Sequence, residues 1–264
     1  MTRTLALAVV SIGWVALADE EVVDSRVDEA QQLRRSGRRA DALTLLASVI
    51  TDATKSKDAL SRGRAEQKSG DVRLDDEDCA GAKKAYEAAA KTLKALKDPV
   101  PRAQVLNDLG LWAKRCATPE VQKKYFEQAL GAYRDAKFLK GVRLIANNLG
   151  TAWFVGGDPK KALVYFAEAA SAARELGDDE SWLTVQVNVA LMELLLAQKK
   201  TGKACTAFDA KEKEDVGYRR SLSAMKEAVE VQRRAAKVPL ALCARMGQYA
   251  DLCEPCLLIP LGAQ

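Results

Sequence analysis

The chain has 264 residues, 41 Lys and Arg against 36 Asp and Glu, and a formal net charge of +5. Its charges are interspersed, with no basic stripe carrying aromatics, which excludes nucleic acid as the indicated partner. It has no His, which removes the commonest general base, the Ser-His and Cys-His nucleophile pairs, and His-ligated zinc or copper.

Residues 1–18 read as a secretory signal peptide. Arg3 is the basic region, Leu5 to Val15 the apolar run, and Ala16-Leu17-Ala18 the small residues before cleavage, so the mature chain would begin at Asp19. The alternative is a first helix packed on the rest of the molecule. The run is too short to span a bilayer, and no later stretch is apolar enough to do so. No Cys follows the cleavage site, which argues against a lipid anchor. The expected location is therefore periplasmic or secreted. The removed segment holds one Arg and no acid, so the mature charge is 5 − 1 = +4.

Residues 19–215 read as successive helix–turn–helix units, rich in Ala, Leu, Lys and Glu and without the alternation of strands. The first unit, Asp19 to Ile50, has Val27, Ala30 and Leu33 on one stripe and Ala42, Leu43, Leu46 and Val49 on the other. Arg34, Arg35, Arg38 and Arg39 surround its turn, as a contact for an acidic partner or as a solvated loop. The second unit, Ser61 to Asp98, has Asp75-Asp76-Glu77-Asp78 in its turn. These acids lack the alternation and central Gly of a calcium loop, so no metal is assigned; they are expected at the start of a helix near Ala80. Pro99 and Pro101 lead into the third unit, Arg102 to Phe138, with Leu106, Leu109 and Gly110 ahead of Tyr125, Phe126, Ala129 and Tyr133.

The fourth unit, Arg143 to Gly177, is the clearest. Ala146, Leu149, Gly150 and Trp153 share one face; Gly157-Asp158-Pro159 breaks the chain; Ala162, Phe166 and Ala169 share the next face; Gly177 stops it. Small residues let the two helices approach, with Trp153 and Phe166 filling the remaining space. The fifth unit runs from Ser181 to about Lys213, with a turn from Lys199 to Gly202 and a second helix beginning at Cys205. Residues 216–264 would supply a capping helix, marked by Leu222, Met225 and Val229, and an apolar tail containing Cys.

A forty-residue step links these units. Leu46, Tyr86, Phe126 and Phe166 keep it, as do Val49, Ala89, Ala129 and Ala169, and Ala30, Gly70, Gly110, Gly150 and Ala190. Leu149, Gly150, Ala162, Phe166 and Ala169 carry a resemblance to the tetratricopeptide repeat, in the extended form seen in kinesin light chain. Arg174 stands where the usual closing proline would be. The resemblance implies an all-α, right-handed α-solenoid of about five units plus the capping helix. It also implies a non-catalytic scaffold for a protein or peptide partner, with no cofactor.

Two rows of polar residues keep the same step: Asp108, Asn148 and Asn188, and beside them Gln67, Asn107 and Asn147. The resemblance implies that asparagines here hold the backbone of an extended ligand; Asp108 departs from the pattern by accepting only. The other reading is that they merely solvate a groove.

The six cysteines, Cys79, Cys116, Cys205, Cys243, Cys253 and Cys256, suggest disulfides behind a signal peptide. Cys79 with Cys116 is the first pairing expected, since both lie near turns of adjacent units. Cys205 with Cys243, and Cys253 with Cys256, would follow. The CxxC at Cys253 and Cys256 leaves a redox site or half of a zinc site as alternatives. A disulfide-handling protein and a purely structural assembly module are the competing functions.

Overall fold

The computed structural model describes residues 23–203 and 209–234. The signal-like segment, Cys205, Cys243 and the CxxC lie outside them. The described residues form helices α1 (Arg26–Arg35), α2 (Arg39–Ser56), α3 (Ala59–Asp75), α4 (Cys79–Thr92), α5 (Val100–Cys116), α6 (Pro119–Asp135), α7 (Leu139–Val155), α8 (Pro159–Glu175), α9 (Asp179–Thr201), α10 (Ala210–Lys213) and α11 (Val216–Arg234). Each longer helix packs on the next in sequence, from α1 to α9, and α11 closes on α9.

The starts and stops are local chemistry. Asp58, Asp78, Thr118, Asp158 and Asp178 each accept a hydrogen bond from a backbone N–H three residues on, capping α3, α4, α6, α8 and α9. Gly157 turns the chain between α7 and α8 with φ 80°, and Gly177 ends α8 with φ 64°.

Packing within a unit is a small residue against a large one. A Cβ added to Gly70, Gly110 or Gly150 would lie 2.5, 2.4 and 2.6 Å from ring carbons of Tyr86, Phe126 and Phe166. Those glycines are therefore seats for the rings, which are 2%, 1% and 2% exposed. Burying each ring contributes about 1.5–3 kcal/mol. Trp153 packs against the core as its face suggests, but from its edge. It is half-buried, with Lys123 Nζ 4.2 Å and Lys161 Nζ 3.9 Å from its ring centroid.

The odd helices are the inner layer. α1 touches α3 and α3 touches α5, and side-chain hydrogen bonds join α5 to α7 and α7 to α9. In a curved stack of such repeats this is the layer expected to line the concave side.

Three expectations change. Two arginines of the first turn are paired across to the second unit, Arg34 Nε with Asp75 at 2.6 Å and Arg39 Nη1 with Asp76 at 3.1 Å, while Arg35, Arg38 and Arg39 stay exposed as on a solvated loop. The acidic run is accordingly divided. Only Asp78 caps the following helix, which begins at Cys79. In the fifth unit α9 runs on through Lys199 and Lys200 to Thr201, because Leu194 and Ala197 stay buried in its last turns. The helix that packs on α9 is α11, with only the one-turn α10 described before it.

Candidate binding groove

The two polar rows lie on α3, α5, α7 and α9 at the inner face, and the structure joins them into one ladder. Gln67 Nε2 donates to Asp108 Oδ2 at 2.5 Å, Asn148 Nδ2 to Asn107 Oδ1 at 3.3 Å, and Asn188 Nδ2 to Asn147 Oδ1 at 3.2 Å. Each rung spans 41 residues, so a member of one row meets the next unit's member of the other. Sequence spacing alone made the rows parallel; helix stagger makes them diagonal.

Asp108 sets the direction of the first rung. A carboxylate only accepts, so Gln67 turns its amide nitrogen to Asp108 and its oxygen to Arg64 Nη1, 3.0 Å away. Asn107 Nδ2 lies 3.4 Å from the other Asp108 oxygen. Each remaining rung uses one donor and one acceptor, and an amide has two donors and two lone pairs. The asparagines are half-buried, and Asn107 and Asn147, which line the clefts, keep hydrogen-bonding capacity while their rungs to Asn148 and Asn188 hold adjacent units together.

Around the ladder lies a charged cluster. Asp71 accepts from Tyr86 Oη at 2.9 Å and from Lys68 Nζ at 3.0 Å. Burial first, then the Asp71 charge, pushes the Asp108 carboxyl up to about 6, against the hydrogen bond from Gln67. Burial also lowers the Arg64 guanidinium below the usual arginine value. Arg64 and Lys140 form no ion pair among the described residues.

Three clefts follow one another along this face. One of about 480 Å³ lies between Arg34, Tyr86, Asp108 and Leu111. The next, about 420 Å³, shares Asp71 and Asp108 with it and reaches Arg64, Asn107, Tyr133 and Leu144. The third, about 210 Å³, shares Arg143 and Leu144 and reaches Asn147 and Thr184. Leu111 and Leu144 are 43% and 45% exposed, which gives a polar groove two apolar footholds.

Sequence reading missed Arg64, Leu144 and Thr184. Arg64, Gln104, Leu144 and Thr184 keep the forty-residue step, and all four line the clefts. That step was the available signal, hidden because the four side chains share no chemistry.

Cys79 opens α4 and Cys116 ends α5, and their sulfurs stand at bonding distance, with Cα atoms 5.8 Å apart. Trp112 Nε1 donates to Cys79 O at 2.8 Å beside them. The same junction of the second and third units thus carries two ties. Among the described residues no cluster of three metal-ligating side chains occurs.

No family model and no curated protein matches the chain. Solved structures do, as tetratricopeptide-like solenoids. A putative kinesin light chain with nearly identical TPR-like repeats from Podosopora anserina is 14% identical, with TM-score 0.56, over 81% of this chain and 96% of that one. The STAND protein PH0952 from Pyrococcus horikoshii, with a tetratricopeptide repeat sensor, is 13% identical with TM-score 0.57, over 85% and 36%. A Rap protein complexed with competence and sporulation factor is 13% identical with TM-score 0.53, over 81% and 66%. At these identities the likeness establishes the fold.

Proposed function

We propose that this tetratricopeptide-like repeat protein is an exported, non-catalytic scaffold that holds an extended protein segment along α3, α5, α7 and α9. The observation that carries the reading is continuity. Three clefts share walls in sequence, and Gln67, Asn107, Asp108 and Asn147 of the ladder line them, with Asn107 and Asn147 one helical turn from Leu111 and Leu144; Asn148 and Asn188 line none of the three and support the row through their rungs. An extended peptide presents alternating N–H and C=O groups, which half-engaged asparagines can meet in either sense. The Rap neighbour, solved with competence and sporulation factor, supports ligand binding as a use of this fold. Export rests on residues 1–18 and gains support from the Cys79–Cys116 pair, since disulfides persist in oxidising compartments. The absence of His and of any assembled nucleophile motif supports the non-catalytic reading.

The test is selection of a displayed random peptide library on the full-length wild-type protein, followed by affinity measurement on Leu144→Asp. Leu144 is 45% exposed and lines two of the clefts, so this change alters the groove without opening the core. Selected peptides should lose about tenfold or more in affinity on the variant, the effect of one apolar contact replaced by a charge. Equal binding to both proteins sinks the reading.

A further inference from the structure

The outer face repeats a tyrosine–glutamate pair of positions that is missing once. Tyr125 on α6 reaches back to α4, its Oη 3.5 Å from Glu87 Oε1. Tyr165 on α8 lies in the field of Glu127 on α6 and is half-buried against the core. Tyr125 and Tyr165 are forty residues apart, and so are Glu87 and Glu127. One step earlier the tyrosine position is Ala85 and the glutamate position is Ala47. The half-buried tyrosine that α6 and α8 present at this position of the outer face has no counterpart on α4.

What remains is a cleft of about 380 Å³ with an apolar floor of Leu43, Ala47, Ile50, Ala85 and Ala88. It adjoins, through Ala88, a second cleft of about 610 Å³ toward Lys57, Arg62 and Lys91. Glu66, the acid in the floor, is 5% exposed and taken up by Arg62 and Thr92. Lys57, Lys84 and Lys91 on the rim form no ion pair among the described residues. The rim also carries Asp58, which caps α3, and Arg73, paired with Asp78, so its unpaired charges are the three lysines, over a floor that is apolar apart from Ser69 and the neutralised Glu66.

We propose that the valley between α2 and α4 binds an acidic segment of a partner protein, which inserts a tyrosine ring where units three and four supply their own. The tyrosines of α6 and α8 specify the ring, and the unpaired lysines specify the charge around it. This site is on the opposite face from the groove and does not depend on it.

The experiment uses two synthetic probes, Glu-Glu-Tyr-Glu-Glu and Glu-Glu-Ala-Glu-Glu with blocked termini, titrated into the full-length protein labelled at alanine methyls. The tyrosine probe should shift the methyls of Ala47, Ala85 and Ala88 saturably and bind about tenfold or more tightly than the alanine probe. Ala85→Tyr, which installs the residue used at the next two steps, should remove that difference while the circular dichroism spectrum is kept. Lys84→Glu with Lys91→Glu should weaken the tyrosine probe at low salt without abolishing the effect of the ring. Equal affinity for the two probes, or an undiminished preference in Ala85→Tyr, overturns the proposal.

Discussion

Asp108 is the residue on which the inner face is least settled energetically. It occupies a ladder position held by asparagine in the next two units, and it lies beside Asp71 in a half-buried site. Its carboxyl is raised to about 6, chiefly by burial, whereas an unfolded-chain aspartate titrates near 3.9. The folded state thus binds the extra proton between those values. Stability from this group is fully present below about pH 4 and lost as pH rises through about 6. Asp108→Asn removes the titration and keeps an acceptor for Gln67. Denaturant unfolding of both proteins from pH 4 to 7 should show the wild type losing up to about 3 kcal/mol relative to the variant. A difference that is flat across that range would mean the charge of Asp108 is adequately solvated or paired. The two rows could be read from spacing, but not this chemistry. Nothing in the spacing of Gln67, Asn107 and Asn147 said that they would bond to the other row. That follows from a stagger between helices, which belongs to tertiary packing.

At the scale of elements, the joints between paired helices were the most legible part of the chain. Gly110 and Phe126 sit on neighbouring helices, and each has its own forty-residue series, so the sequence announced the seat and its occupant separately. The physical reason is steric: the 2.4 Å from a Cβ at Gly110 to the Phe126 ring leaves no room for a methyl. Gly131, inside α6, has nothing within 4 Å of the same added atom. The two glycines therefore predict opposite signs. Gly110→Ala should destabilise by roughly 1–3 kcal/mol through overpacking, even after its gain in helix propensity. Gly131→Ala should stabilise by about 0.5–1 kcal/mol, since only backbone entropy changes. Chemical denaturation of both variants tests the pair, and a common sign would mean that propensity, not the seat, governs these joints. The fifth unit was less legible. Lys199, Lys200 and Gly202 look like a turn after Leu194, and Gly202 does end the helix with φ 70°. What spacing could not show is that the next full helix starts only at Val216.

Across the whole molecule, a stack of units is as stable as its weakest junction, because each unit touches only its neighbours. The first unit and α3 share a small apolar cluster of their own, from Val27 to Val72, apart from the larger core that begins at Ala82. Arg34 and Arg39 tie that end to the second unit through ion pairs that are partly exposed, and such pairs contribute little each. The next junction is made differently: Cys79 and Cys116 join α4 to α5, closing a loop of 37 residues. Loop closure on this scale stabilises by roughly 2–4 kcal/mol, mainly by restricting the unfolded chain. It also forces the second and third units to open together. Cys79→Ala with Cys116→Ala keeps the Asp78 cap of α4 and the Trp112 bond to the backbone of residue 79, and at residue 116 trims only one partly buried side chain at the core edge. Hydrogen exchange of the native protein should then change selectively. Amides of α1 to α4 should exchange about tenfold or more faster in the double variant, while those of α7 and α8 stay as they were. Acceleration spread evenly from α1 to α9 would mean that the array opens as one cooperative unit. The staple would then contribute to global stability alone and would not set where the solenoid divides.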